Sequence, residues 1–599
     1  MTQAASAVRR RLFIALMLTL AAACAPGSAS QSATTTTTSA TTRATTTRAA
    51  TTRATTTTQP TTRPATTRPA TTRPATTTTA PARATTRPAA TAVPSTVPPF
   101  SMADVVHIVT TTTYDLGAVP LAAVAGAPAT RWWGVVSAPS DGPGPYPLAI
   151  VLHGAHAFCD VPGDERAWPC PAGKEVPNQA GLAYLTDALA KRGFVAIAPG
   201  INDEFAIRSD DGTRPFGAVA AAEIDRDLTA LSTGSPSLGV KPALIDLRHI
   251  VLIGHSRGAA LAAVLARPTG SPKLSRDTSG LVLLAPSADS VDPNLMADIP
   301  AAVVIGSCDG DTGVDGGRFV APALDVIRRT SPIALVMLDR ASHDATNDRL
   351  LPEAVPLGRP GCGANERLDP VLQRQTLTSL VPELARATLG AAATGDGAQA
   401  FNRRRADDQV APGIRMVLID PTATRTSLLP KLGQPVPTAG FTRQWCPGGR
   451  YAPYRAPGTE PCHRLELEDL VGWPSGLELT WNNPAAALTV AVPTSAAGKV
   501  LVLRVFVDPA DTRVGAGPVA LQLTGRNGTT PSWSKEVTLS VTPVGVVDTG
   551  AYVARRGALL WSERRIPLDQ PTTSLTLTAR SPDAGSLLLV GLEAVTPPR

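Results

Sequence analysis

Lysine is almost missing from this chain: seven lysines stand against 48 arginines in 599 residues. Acid is missing altogether from residues 1–100, which hold eleven arginines and no aspartate or glutamate. Setting that stretch aside leaves 44 basic against 48 acidic residues, so the formal charge of +7 belongs to the N-terminal hundred. The remainder is slightly acidic, so a nucleic-acid partner loses its main support and none is expected. Cysteine is scarce, at seven, and no pair has the C-x₂-C spacing of a zinc site. Histidine is equally scarce, again seven, so any histidine-dependent chemistry can be assigned by elimination.

What is present at the N-terminus is directional. Arg9, Arg10 and Arg11 precede an apolar run from Leu12 to Ala23, the charged and apolar regions of an export signal. The run is too short to span a bilayer as a helix. It ends in LAAAC, similar to the lipobox of bacterial lipoproteins with Ala21 in the place usual for leucine, so Cys24 is a lipidation candidate. An A-x-A cleavage site beside an incidental cysteine is the alternative; either way an extracellular or cell-envelope location is expected. Membrane contact is expected only through such an anchor. Residues 25–100 are rich in Thr, Ala, Pro and Arg, with TTRPA at Thr61, Thr66 and Thr71. Without large apolar side chains such a segment cannot offset the entropy of ordering, and it reads as an extended tether. Excluding Cys24, six cysteines remain, and nearest-neighbour pairing is expected in an oxidising compartment: Cys159 with Cys170, Cys308 with Cys362, Cys446 with Cys462.

Residues 101–392 alternate between two patterns. RWWGVVSAP, PLAIVLHG, GFVAIAPG, RHIVLIGHS, GLVLLAP, IPAAVVIGS and SPIALVMLD are short runs apolar on both faces, as buried strands require. GLAYLTDALAKRG, AAAEIDRDLTALS and the stretch Asp369 to Leu389 have helical spacing, the first closed by Gly193. The alternation predicts an α/β fold, a mostly parallel sheet flanked by helices. Residues 393–470 read as a connector or as the first edge of the β domain that follows. Residues 471–599 hold short alternating runs, among them VLVLRVFVD, VALQLTG and SLTLTA, and predict an all-β sandwich. Its Trp473, Trp481, Trp533 and Trp561 read first as core and second as a sugar-stacking platform.

The chemistry centres on GHSRG, residues 254–258, which follows a buried strand and precedes the helical ALAAVLAR. In that setting Ser256 sits on a tight strand-to-helix turn, with glycines on both sides because side chains there would strike the neighbouring strand or helix. A serine hydroxyl needs a base. Of the seven histidines, only His343, in LDRASHDATN, comes directly after the last strand predicted in the α/β region; His463 lies outside that region, and His153 reads as structural. The orienting acid belongs after the preceding strand, in GSCDGDTGVDGG, where Asp309 is favoured, Asp311 is the alternative and Asp315 is more remote. That loop lacks the 12-residue ligand pattern of a calcium site. Backbone N–H groups of Arg257 and Ala155 are the candidate oxyanion donors.

The segments LHGAH, LAKRGFVAIAPGIND, GHSRGAA, GSCDGD and ASHDATN, in that order and spacing, resemble the α/β-hydrolase superfamily across about residues 105–390. Nearest in pattern are secreted actinobacterial serine hydrolases akin to dienelactone hydrolases, platelet-activating-factor acetylhydrolase-like enzymes and polyester hydrolases. The resemblance implies carboxylic ester cleavage by a Ser-His-Asp triad through an acyl-enzyme, with no metal or cofactor. HGAH departs from the HGGG of many lipases. The tail is similar to sandwiches appended to some of these hydrolases, which implies envelope or polysaccharide contact. About fifteen residues separate GLVLLAP from IPAAVVIGS, too few for a cap domain, so an open cleft is expected for small-molecule, lipid, acylated-glycan or polyester esters. Two rival readings use the same scaffold: an acyltransferase to envelope or sugar hydroxyls, and a non-catalytic envelope-binding protein.

Overall fold

A computed structural model of the chain describes Met102 and residues 104–596, apart from 122–123, 125–128, 207–214, 289–290, 293–295, 313–315, 321–322, 324–328, 351–363, 422, 432, 447–475, 497, 508–517 and 540–561. The expected export signal, Cys24, the expected tether, Asp315, Cys362, Cys462, Trp473 and Trp561 lie outside the described residues.

Period-two alternation builds the main sheet. In β3 (Tyr146–Leu152) the side chains of Leu148, Ile150 and Leu152 enter one core, while Ala149 and Val151 enter the core on the opposite face. The same double burial holds for β4 (Val195–Pro199), β5 (Ile245–His255), β6 (Thr278–Leu284), β7 (Ala301–Gly306) and β8 (Ile333–Leu338). These six pair in parallel in the order β4-β3-β5-β6-β7-β8. Antiparallel strands extend both edges: β2 (Thr130–Pro139) and β1 (Val109–Val119) beside β4, then β10 (Ile414–Ile419) and β9 (Gln409–Ala411) beside β8.

Helices cover both faces. On one side lie α1 (Ala183–Lys191) and the later Pro370–Thr388 helix, supplying Leu185, Leu189, Leu377, Leu380 and Leu384. The other side carries α2 (Ala218–Thr233) and α3 (Arg257–Leu265), supplying Ile224, Leu228, Ala260 and Leu261. Gly193, at φ 85°, closes α1 as expected, its N–H bonding the Ala190 carbonyl at 3.0 Å. The Pro370–Thr388 helix, α4, starts at Asp369, whose carboxylate accepts from the Val371 and Leu372 amides.

Beyond residue 420 two antiparallel sheets face each other. One runs β13 (Phe441–Cys446), β14 (Gly476–Trp481), β21 (Gly585–Val595), β16 (Val500–Phe506), β19 (Ser562–Pro567), with β11 (Arg425–Ser427) also on β21. The second runs β12 (Thr438–Ala439), β15 (Ala487–Ala491), β20 (Ser574–Ser581), β17 (Val519–Asn527), β18 (Thr530–Leu539). Trp481 is core, 1% exposed with its indole N–H on the Pro582 carbonyl, and Trp533 packs half-buried on the same core.

Residues 393–470 do more than connect. They contribute β9 and β10 to the large sheet and β11, β12 and β13 to the sandwich, because the run IRMVLI at 414–419, apolar except for Arg415, finds an open edge on β8. The two sheet systems then share one apolar core, in which Val417 and Ile419 meet Phe506, Leu588 and Cys446. Residues 93–599 accordingly form a single compact unit.

Candidate active site

Parallel strands deliver their C-terminal ends to one edge of the sheet, and the candidate residues stand there. Ser256 follows β5, Asp309 follows β7, His343 follows β8, and the HGAH loop follows β3. Ser256 has φ 58° and ψ −126°, a conformation that costs a non-glycine residue about 1–3 kcal/mol. The turn is enforced by close backbone approaches on either side. A Cβ at Gly254 would collide with the Gly258 carbonyl, and one at Gly258 with the carbonyls of Leu152 and His153. The Ser256 amide is tied to the end of β6 through the Leu284 carbonyl at 2.9 Å, which leaves the side chain at the sheet edge, 4% exposed.

His343 is fully buried and its Nδ1 lies 2.9 Å from Asp309 Oδ2. A carboxylate only accepts, so the hydrogen sits on Nδ1, and in the neutral ring Nε2 carries the lone pair. Asp309 is held by more than the imidazole. Its Oδ1 accepts from the Asp311 amide at 3.0 Å and the Thr312 amide at 2.8 Å, and its Oδ2 accepts from the Thr312 hydroxyl at 2.9 Å. Asp311 stands on the other side of the ring, exposed, 3.5 Å from Nε2. Burial pushes the His343 imidazole down, but Asp309, with Asp311 and Asp344 beyond it, outweighs that and holds it up at about 9.

The loop that carries His343 is fixed from three directions. Gln373 of α4 reaches back and makes both side-chain amide bonds to the backbone of Ser342, accepting from its N–H and donating to its carbonyl, each at 2.8 Å. Arg340 donates its amide to the Ser307 hydroxyl at 2.7 Å, while its guanidinium reaches the carbonyls of Asn365, Glu366 and Arg367. The Cys308 amide bonds the Ala341 carbonyl at 2.9 Å, which joins the acid loop to the histidine loop directly. Gln373 had no signal in the sequence, since it belongs to no motif and meets Ser342 across 31 residues of chain, whereas Thr312 stands in the GSCDGDTGVDGG loop itself, three residues from the Asp309 it bonds.

The other histidines sort themselves out. His153 is buried, with Nδ1 2.8 Å from the Gly154 carbonyl and Nε2 accepting from the Ile201 amide at 3.0 Å, and burial lowers it to about 4. His107 pairs with Asp141 at 3.0 Å and His249 with Asp246 at 2.8 Å, both away from the Ser256 edge. His463 lies outside the described residues. His255 and His156 form a row with His343: the His255 ring centroid is 4.7 Å from that of His343 and 5.5 Å from that of His156.

Of the candidate oxyanion donors, Arg257 begins α3 directly after Ser256, and the Ala155 amide donates no backbone hydrogen bond among the described residues. Beyond Ala155 the 157–177 loop is stapled by the Cys159–Cys170 disulfide. Cys308 and Cys446 are also disulfide-bonded. Among the described residues no group of three or more His, Cys, Asp or Glu side chains could hold a metal ion. In chemical terms the edge presents a hydroxyl in a strained turn and a buried imidazole with an oriented carboxylate. No family model matches this chain, and no curated protein matches it either.

Proposed function

We propose that this chain is an exported carboxylic-ester hydrolase of the α/β-hydrolase fold, acting through Ser256, His343 and Asp309. One observation carries the reading: a serine held at φ 58° at the end of a central parallel strand, on the same sheet edge as a buried histidine bonded to a carboxylate at 2.9 Å. Neutral His343 takes the Ser256 proton on Nε2 as Oγ attacks the ester carbonyl carbon. The carbonyl oxygen becomes an anion facing the amides of Arg257 and Ala155. Collapse of that adduct breaks the ester C–O bond, and the alcohol leaves with the proton from His343. Water then repeats the cycle on the acyl-enzyme and releases the acid. Asp309 fixes the tautomer and steadies the imidazolium.

The short path from Leu284 to Ala301 leaves no room for a cap domain, which favours bulky or surface-held esters such as acylated glycans, lipids or polyesters. The disulfide-bonded Cys159, Cys170, Cys308 and Cys446 support an oxidising compartment, in line with the N-terminal export pattern. Envelope or polysaccharide contact is assigned to the sandwich on the same reading.

The test is hydrolysis of a p-nitrophenyl ester series, acetate to palmitate, by the full-length chain beside its Ser256→Ala variant. Turnover that disappears in the variant is the expected result. Turnover that needs an added sugar or alcohol acceptor would move the assignment to acyl transfer, and equal inactivity with retained glycan binding would move it to a binding protein.

A further inference from the structure

We propose that His156 touches the substrate in this site, its Nε2–H giving a third hydrogen bond to the ester oxygen that becomes negative when Ser256 attacks. The inference rests on the hydrolase reading above. Three observations lead to it.

The first is position. The point where a Cβ on Gly154 would sit lies 2.7 Å from His156 Nε2 and 2.7 Å from Ser256 Cβ. The two atoms are therefore at most twice that distance apart, and the space between them stays open because residue 154 has no side chain. Ala155, a donor candidate, is the residue between Gly154 and His156.

The second is an unmet hydrogen bond. His156 Nε2 is shielded from solvent and has no hydrogen-bond partner among the described residues. Shielded polar atoms are nearly always paired, so one left open beside a strained serine calls for a partner that arrives with a ligand. His153 shows the contrast, since both of its ring nitrogens are occupied by backbone groups.

The third is rigidity and charge. The ring stacks on His255 at 5.5 Å and 24°, and the chain directly after it is clamped. The Ala157 carbonyl accepts from Asn178, Phe158 bonds Glu165 and Val176 through its backbone, and the Cys159–Cys170 disulfide closes the loop. Burial, followed by the nearby His343, His153, Arg166 and Arg257, holds the imidazole well below its ordinary value. A neutral ring carries one hydrogen and can present it from Nε2 without adding a second cation beside His343. Donors placed where the oxyanion forms act on the transition state more than on the bound ester.

The experiment compares His156→Ala and His156→Gln in the full-length chain with p-nitrophenyl acetate, alongside affinity for an alkyl boronic acid, which forms a tetrahedral adduct on serine. Loss of the donor should lower kcat by about 10²-fold with KM nearly unchanged and weaken the boronate in parallel. Glutamine, which restores an N–H, should recover at least about tenfold of that loss. A wild-type kcat in His156→Ala, with Ser256→Ala still inactive, would overturn the inference and leave the hydrolase reading standing. Equal losses in both variants together with a lowered Tm would also overturn it, in favour of a packing role. Absence of Ser256-dependent turnover in the parent chain would overturn both.

Discussion

Two clusters of buried charge in residues 93–599 are built on opposite terms. Where the large sheet meets the sandwich, Arg504 of β16 spends its whole guanidinium on Glu563, Glu593 and the Leu418 carbonyl. Glu563 in turn receives Arg504 at 2.9 Å, Arg565 at 2.9 Å and Arg405 at 3.4 Å, and all of these side chains are buried. At the Ser256 edge the carboxylate is equally well bonded, but His156 keeps a shielded nitrogen without a hydrogen bond and Ser256 keeps a disfavoured backbone. A saturated cluster makes one arrangement of sheet and sandwich far better than its neighbours. A cluster with unmet capacity is less stable than it could be, and that capacity is what a substrate can use.

The comparison can be broken at either end. Ser256→Ala should remove ester turnover by about 10⁶-fold in kcat while Tm stays level or rises, since only the chemistry is lost. Asp309→Asn should follow at about 10⁴-fold, by leaving His343 in the wrong tautomer, whereas Asp311→Asn should cost less than about tenfold. Comparable losses from the two would show that both acids orient the ring. Glu563→Ala should leave three guanidinium groups facing one another and lower stability by about 3–5 kcal/mol, read by denaturant unfolding, with kcat of the folded protein unchanged. A loss of kcat there would show that the junction reaches the site.

The smallest effects are in pH, and they run in opposite directions at the two clusters. His343, raised to about 9, contributes stability that is complete below its unfolded value of about 6.5 and is lost as pH rises through 9. Turnover needs the neutral ring, so kcat/KM should climb over the same interval, and Asp311→Asn should move that rise to lower pH. Burial raises Glu563, but Arg565, Arg504 and Arg405 outweigh it and hold the carboxyl below its ordinary range. Its contribution is present above about 4.5 and is lost as pH falls through the lowered value. Unfolding curves between pH 3 and 10 would show both slopes.

The legible parts of the site were those encoded by near neighbours. GHSRG announced its turn because Gly254 and Gly258 each face backbone that only a hydrogen atom can approach. His343 was identifiable because so few histidines existed to choose from. The choice between Asp309 and Asp311 was open in the sequence: they are two residues apart in one glycine-rich loop, and the fold turns one under the imidazole ring while leaving the other exposed. Gln373 and His156 were passed over for the same reason, since each matters through a partner it meets only in space.

Taken alone, the sequence determined the seven strands from β2 to β8, the helices among and after them, their order, and the position of the strained serine. Those features follow from periodicity and from steric limits within a few residues. The tertiary structure decided that residues 409–419 complete the large sheet, that 425–446 enter the sandwich, and that Glu563 meets Arg405 and Arg504 from other elements beside its strand neighbour Arg565. Open sheet edges and buried charges are satisfied by whatever packing brings within reach, as across the 158 residues of chain between Arg405 and Glu563.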